Sequence, residues 1–282
     1  MKATVLMRAH NDMPLLKRTL NALVNQSMEV HLVVFDNASQ DGSLELLEQT
    51  ASRVFHVPAG AYVPGKVLNE GMRQSDSDVV VFLNADCEPV DQFCLESLIA
   101  PFSDPVVGAT FGRQMPRTDC SPLATRDLDD TYGDGVLQAA WRHCFSMACS
   151  AVRRCVWNEV PFDEKLKYSE DIAWSWQIRQ KGLQIRYVPE ARVYHSHNYT
   201  NQQWRKRQYG EGRAEAVIFD WSPWQRSFLR YSLLPFVRQL KDDLAYCIRT
   251  SQWHGIMASP GYRTAQMLGR RAGFLDGLRG GA

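Results

Sequence analysis

The sequence predicts an α/β protein with a mainly parallel sheet, helices on both of its faces, and a helical C-terminal tail. Three observations lead there. Over roughly the first hundred residues, short β-branched runs alternate with helical patterns. Those runs are continuously apolar rather than alternating, as in a sheet covered on both faces. Near residue 200 the chain changes character: residues 1–200 carry 19 Lys/Arg against 25 Asp/Glu, whereas residues 201–282 carry 13 against 6. With 282 residues, 45% of them hydrophobic, the chain can bury a full core. The expected division is residues 1–200 as a ligand-binding catalytic domain and 201–282 as a basic, aromatic-rich helical region.

The elements follow in order. Residues 4–8 read as a buried strand. Asp12 and Pro14 then open a helix whose apolar stripe is Leu16, Leu20, Leu23 and Val24. A second strand at 30–35 ends in the turn 36–42, and the next helix carries Leu44, Leu46 and Leu47. A third strand at 54–57, a helix at 67–74 and a fourth strand at 79–83 complete the regular part. Strands separated by helices at this spacing imply right-handed βαβ units, and in such sheets ligands bind beyond the carboxyl ends of the strands. Residues 84–135 hold short helices and a polar, Asp-rich loop at 112–134. Helical patterns resume near Val136 and over 169–181. From Gln202 onward the pattern is helical, interrupted by Pro223, Pro235 and Pro260.

Several classes fall away. The seven cysteines include no C-x-x-C pair, so neither a zinc site nor a disulfide framework is supported. No apolar run reaches the length of a membrane span, and Met1 leads straight into a strand without a leader pattern, so a cytoplasmic setting is expected. The tail interleaves Trp204, Phe219, Trp221, Trp224, Phe228 and Tyr231 with Arg205, Lys206, Arg207, Arg213, Arg226 and Arg230. That mixture suits peripheral contact with the inner face of a membrane. It equally suits a helical subdomain packed on the main domain or on a partner subunit, and a second copy of the chain stays open as a partner. Nucleic acid is not expected, because the main domain is acidic and no reading module is present.

The chemistry concentrates in three fragments. The fourth strand runs into Asn84-Ala85-Asp86, which places Asn84 and Asp86 on one side of an extended chain, where oxygen ligands suit Mg²⁺ or Mn²⁺ on a diphosphate. The plainer reading is a strand-end Asp that caps the next element. Residues 60–66 match most of a phosphate loop, but Val67 stands where a hydroxyl should bind magnesium, and Tyr62, Val63 and Pro64 are too bulky for a backbone cradle. Lys66 is kept as a point charge toward a phosphate. In the second fragment, Ser169 reads as an N-cap that sets Glu170 and Asp171 in the first turn of a helix, where an ionised carboxylate can act as a general base. Both acids could instead serve only the helix terminus. Trp174 and Trp176 could line a sugar pocket or belong to the core. In the third, His195 and His197 alternate on an extended segment, so only one can face a site, and a neutral imidazole there could complete a metal shell begun by Asp86.

Five segments, taken together, resemble family 2 glycosyltransferases of the GT-A fold, a Rossmann-like architecture, and most closely bacterial rhamnosyltransferases. They are Asp36-Asn37-Ala38-Ser39 with Asp41-Gly42-Ser43, Asn69-Glu70-Gly71, Gly112-Arg113-Gln114-Met115-Pro116-Arg117, Ser169-Glu170-Asp171, and His195-Ser196-His197-Asn198-Tyr199. The resemblance implies transfer of a sugar, in the subgroup rhamnose from dTDP-rhamnose, from a dTDP-, UDP- or GDP-linked donor to a glycan or lipid-linked saccharide acceptor. It implies that Asp36 binds the nucleobase, with the backbone near Ala9 and His10 beside it, and that Lys66, Asn69 and Asn84 join the donor site. Asp86 would hold Mg²⁺ or Mn²⁺ with His195 or His197, and Asp171 would be the catalytic base of an inverting displacement. Glu170, Trp174 and Arg113 are expected toward the acceptor. Asn84 replaces the first acid of the family's metal motif, and Leu68 stands where many relatives carry Arg. The alternative is a catalytically degenerate relative acting as a scaffold or regulatory partner in a glycan assembly complex.

Overall fold

Eight strands form one mixed sheet in a computed structural model that describes residues 2–136 and 144–280. They are Lys2–Ala9 (β1), Glu29–Asp36 (β2), Arg53–His56 (β3), Val79–Asn84 (β4), Glu88–Pro89 (β5), Val107–Met115 (β6), Cys149–Arg153 (β7) and Gln184–Tyr194 (β8), in the order β3-β2-β1-β4-β7-β6-β8-β5. The expected parallel sheet is found over β3-β2-β1-β4. Beyond it β7 runs antiparallel to both β4 and β6, β6 and β8 are parallel, and β5 is antiparallel to β8.

The sheet is apolar on both faces because side chains alternate along each strand. Val5, Met7 and Ala9 of β1 join Leu16, Leu20 and Leu23 of Leu15–Val24 (α1) and Leu47 of Ser43–Thr50 (α2) in one core. Leu6 points the other way, into a core with Val67, Leu68 and Met72 of Pro64–Arg73 (α3) and Trp174 and Ile178 of Glu170–Gln180 (α7). Cys94–Ile99 (α4) returns Leu95 and Leu98 to the first core.

Two expectations need correction. Val24 does not belong to the buried stripe: it is 86% exposed at the last turn of α1. The polar loop expected at 112–134 is largely structured. Its first residues extend β6, whose backbone pairs with β8 whatever its side chains, and Pro122–Thr131 forms a helix (α5). The helix expected to resume near Val136 runs into residues 137–143, outside the described residues.

The chain forms two compact units. The first comprises Met1–Arg117, Asp130–Glu164 and Glu170–His195 and contains the sheet. The second comprises Thr118–Asp129, Lys165–Ser169 and Ser196–Ala282. Its helices are Asn201–Ile218 (α8), Leu234–Arg249 (α9) and Trp253–Gly280 (α10); Arg154–Glu159 (α6) belongs to the first unit. Thr200 opens α8 with a reciprocal cap on Gln203. Within the second unit, Arg263 is buried between Asp127 and Asp243 at 2.7–2.8 Å, and Arg126 reaches Asp243 at 3.0 Å. Tyr231 stacks on Phe274, Trp221 meets both rings edge-on, and Trp204 meets Tyr262 edge-on. Of the tail aromatics read as interfacial, Trp204, Trp221 and Tyr231 are half-buried in this packing, while Trp224 and Phe228 are exposed.

Helices α8 and α10 approach backbone to backbone. A Cβ at Gly212 would fall on the carbonyl of Arg270, one at Gly269 on that of Arg205, and one at Gly273 on that of Tyr209. Gly269, Gly273 and Gly277 recur every fourth residue, so one edge of α10 carries no side chain. Gly273→Ala should therefore push the helices apart and destabilise by about 1–3 kcal/mol, read as a lower Tm. Gly280→Ala, with open space around it, is the control and should leave Tm unchanged or slightly raised.

Candidate active site

Three strand ends meet at the carboxyl edge of the sheet. Ala9 of β1 is in register with Asp36 of β2, and Arg8 with Asn84 of β4. Asp36 is 1% exposed; its Oδ2 accepts from the Ser39 N–H at 3.0 Å, while Oδ1 is buried with no hydrogen-bond partner among the described residues. A buried carboxylate oxygen left unsatisfied is costly, which singles out Asp36 at this edge of the sheet. Two loops frame it. The Asn37 N–H donates to Ala9 O, His10 Nδ1 lies 2.6 Å from Asn37 O, and Asn11 Oδ1 accepts from Gln40 N–H. Asn11 and Ala38 both hold positive φ, at 54° and 52°. For Ala38 that is a strained conformation, which the surrounding bonds must fix.

Beyond β4 the chain turns so that Asp86, Cys87 and His195 each bring a potential ligand atom within 4.8 Å of the others. His195 Nε2 lies 3.5 Å from Asp86 Oδ2. The ring is oriented by Gln114: its amide nitrogen donates to Ser146 Oγ at 2.9 Å, leaving Oε1 to accept from His195 Nδ1–H at 2.6 Å. That tautomer turns the Nε2 lone pair toward Asp86, the outer-shell arrangement typical of metal-binding histidines. Burial pushes the Cys87 thiol well above its usual range, so it stays protonated and is a poor ligand. A carboxylate and an oriented imidazole nonetheless fit a divalent cation. Burial, with Asp86 and Asp41 adding to it, raises the Asp12 carboxyl to about 6, so acids crowd this corner. Arg117 donates to the carbonyls of Asp86 and Tyr194, tying the ends of β4 and β8 together.

The other half of the site hangs on Arg8. Its guanidinium donates to Asn84 Oδ1 at 2.9 Å, to Glu170 Oε1 at 3.2 Å and to the Tyr62 hydroxyl at 3.4 Å. It thus links the metal-motif strand to the first turn of α7. Next to Glu170, Asp171 accepts from the N–H groups of Ile172 at 2.8 Å and Met147 at 3.3 Å. Burial first and the Glu170 charge second push its carboxyl up to about 7, against the opposing pull of those N–H groups and Arg8. A carboxylate of that kind is matched to proton abstraction near neutral pH.

Ala9, Asp36, Asn84, Asp86, His195 and Asp171 therefore belong to this edge of the sheet or to the Arg8 network, with His10 in the framing loop. Other expected residues stand elsewhere. Asn69 is fully used inside the protein: Nδ2 donates to Phe162 O and Glu164, and Oδ1 accepts from Trp157 Nε1 and Phe162 N–H. It has nothing left for a donor. Trp174 is 1% exposed, packs against Phe145 and Phe162 and donates Nε1–H to Val160 O; it is core, not a sugar platform. Glu170 is buried and holds Arg8 rather than facing an acceptor. Strand alternation sets Arg113 on the face opposite Gln114. His197 stacks on Tyr199 and belongs to the second unit. Ser169 takes φ 58°, not the extended geometry of an N-cap. Lys66 is exposed on α3, and a Cβ at Gly65 would fall on the carbonyl of Asp163, so the loop-like string at 60–66 has no open cradle at that glycine. Sequence reasoning missed Arg8, Asp12, Gln114 and Arg117. The signal for Arg8 was a single charge ending an apolar strand, and Gln114 and Arg117 lay within a segment already singled out.

Residues 4–160 match the model of glycosyl transferase family 2. The O-antigen chain rhamnosyltransferase RfbN of Salmonella typhimurium is 29% identical over 242 residues, 81% of this chain and 76% of that protein. WbaN of Salmonella anatum, also an O-antigen chain rhamnosyltransferase, is 29% identical over 209 residues, 70% of this chain and 65% of that one. Among solved structures, the mannosyltransferase PcManGT from Pyrobaculum calidifontis, in complex with GDP-Man and Mn²⁺, superposes with a TM-score of 0.66 at 17% identity, covering 99% of this chain and 88% of its own. S. aureus TarS 1–349 in complex with UDP-GlcNAc gives 0.57 at 16% identity, covering 94% and 90%. With the family model spanning more than half of the chain and the GT-A fold around the strand ends described above, the protein belongs to glycosyl transferase family 2 and is a nucleotide-sugar glycosyltransferase.

Proposed function

We propose that the protein is an inverting glycosyltransferase that moves rhamnose from dTDP-rhamnose onto a hydroxyl of a glycan or lipid-linked acceptor. The sugar is suggested by the rhamnosyltransferases it resembles. The observation that carries the mechanism is the Arg8 bridge, which joins the strand end bearing Asn84 to the helix turn bearing Glu170 and Asp171. The unsatisfied Asp36 Oδ1 supports a contact with a nucleobase N–H. Asp86 and His195 are the residues to hold Mg²⁺ or Mn²⁺, which when bound supplies positive charge to the departing diphosphate. Asp171 takes the proton from the acceptor hydroxyl as its oxygen attacks the anomeric carbon. A single displacement with the base on the acceptor side inverts that centre, as in two-carboxylate hydrolysis with a sugar hydroxyl in place of water.

Peripheral contact with an anionic membrane surface belongs to the same reading. Among the described residues no helix is long and apolar enough to cross a membrane. Trp224, Phe228 and Val237 are exposed beside Arg230 and Arg238, which supports docking on a surface.

Asp171→Asn should lower kcat by about 10²-fold or more while nucleotide-sugar binding, read by thermal shift, survives. In the parent enzyme kcat should rise with pH through a midpoint near 7, because the base acts deprotonated and its carboxyl titrates at about 7. Full turnover in the variant, or a flat profile from pH 6 to 8, would refute the assignment. Arg8→Leu strands Glu170 without its counter-charge and should cost about 3 kcal/mol or more in urea unfolding. Co-sedimentation with phosphatidylglycerol vesicles at low salt, weakened by Phe228→Asp, is expected of membrane docking; an empty pellet would end that part of the proposal.

A further inference from the structure

The helical unit holds a cavity of about 640 Å³ whose lining residues all belong to it. Its shape begins with Pro235. A proline returns no N–H to the turn before it, so the helix leading into α9 loses a bond of its regular ladder there. Leu229–Leu233 is wound as a wider π turn instead, a form that recurs at functional sites. That turn supplies Arg230 and Tyr231 to the cavity wall. It is kept against a penalty, because Ser232 Oγ within it is buried with no hydrogen-bond partner among the described residues.

One residue of α8 fixes three of the lining side chains. The Glu215 carboxylate accepts from the Tyr231 hydroxyl at 2.7 Å and from Arg270 Nε at 2.9 Å, and the Glu215 carbonyl accepts from Trp221 Nε1–H at 2.8 Å. Tyr231 also stacks on Phe274, and Trp221 meets the Tyr231 ring edge-on. These rings are held in place before any ligand arrives, which lowers the entropy lost on binding. The third aromatic, Trp224, is 58% exposed and has the Arg230 guanidinium over its ring, 5.0 Å from the centre. Gln225 Oε1 accepts from the N–H and hydroxyl of Ser222 at 2.9 and 2.8 Å, which leaves the amide N–H groups of Gln225 available as donors. Flat apolar faces set among amide and guanidinium donors match a sugar, which presents C–H groups on its ring faces and hydroxyl oxygens around its edge. Acyl chains would cover the rings but offer those donors no acceptor.

We propose that Trp221, Trp224 and Tyr231, with Gln225, Arg230 and Arg270, form a saccharide-binding site on the helical unit. It takes sugar rings of the acceptor chain other than the one that attacks, a role that rests on the glycan acceptor proposed above. The test is titration of the full chain, without nucleotide sugar, with short free oligosaccharides of rhamnose, mannose, galactose and glucose, read by saturation-transfer NMR and tryptophan fluorescence. At least one should bind, and Trp224→Ala should weaken it by about 10-fold or more, while Trp224→Tyr retains it. Trp224 is exposed, so neither change should move Tm. Phe228 does not line the cavity, so Phe228→Asp, the variant aimed at vesicle docking, should leave oligosaccharide binding intact. No binding by any of the sugars, or binding indifferent to Trp224→Ala, overturns the site. If Trp224→Ala weakens only vesicle binding, that ring belongs to a membrane face and the proposal fails. Thermal shift by nucleotide sugars is read separately. Oligosaccharide binding lost with that shift intact sinks the site alone; binding kept in a chain that nucleotide sugars do not shift removes its acceptor role.

Discussion

A guanidinium taken out of water at the end of a central strand must find acceptors, and Arg8 finds them on two elements far apart in the chain. Asn84 belongs to the strand beside it, Glu170 to a helix more than eighty residues later. Burial alone would penalise the cation, but Tyr62, Glu170 and Asp171 around it keep it protonated. The consequence is mutual. Arg8 needs those acceptors, and the acids of α7 need Arg8. Neither half of the site is stable in its charge state without the other, so the strand end and the helix start are held in one arrangement.

The two principal carboxylates are thereby given different surroundings. Asp86 sits in an acid-rich corner with Asp12, beside an imidazole whose orientation Gln114 dictates. Asp171 sits in a drier place beside a second acid, accepts two backbone N–H groups and is still pushed up to about 7. On the proposed mechanism, the first offers a cation a carboxylate beside an oriented imidazole, and the second offers a proton acceptor that titrates near neutrality. Opposed environments for paired acids are how one fold assigns chemical roles.

Much of this was legible in the residues. Strand ends at Asp36 and Asn84, the acid pair at 170–171 and the His at 195 could be placed because buried apolar runs stop where the chemistry begins. What could not be read was the direction of individual side chains. Asn69 looked available and is consumed by Phe162, Glu164 and Trp157, all distant in sequence. Gln114 and Arg113 differ by one position, and only the register of β6 against its neighbours decides which one meets His195. Backbone pairing of 112–115 was hidden because polar side chains there read as loop. Arg8 gave a faint sign, but its partners lie in segments that local pattern cannot join.

Trp174 has a meaning beyond its place in the core. Its indole N–H is fastened to the carbonyl of Val160 at 2.6 Å, and its ring is wedged between Phe145 and Phe162, one turn after Asp171. The helix that presents the carboxylate is therefore pinned from behind, like a tool clamped in a vice. With Asp171 as the base proposed above, incoming hydroxyls have to be brought to a stationary proton acceptor. Discrimination among them then falls to the shape of the surrounding loops rather than to any adjustment of α7.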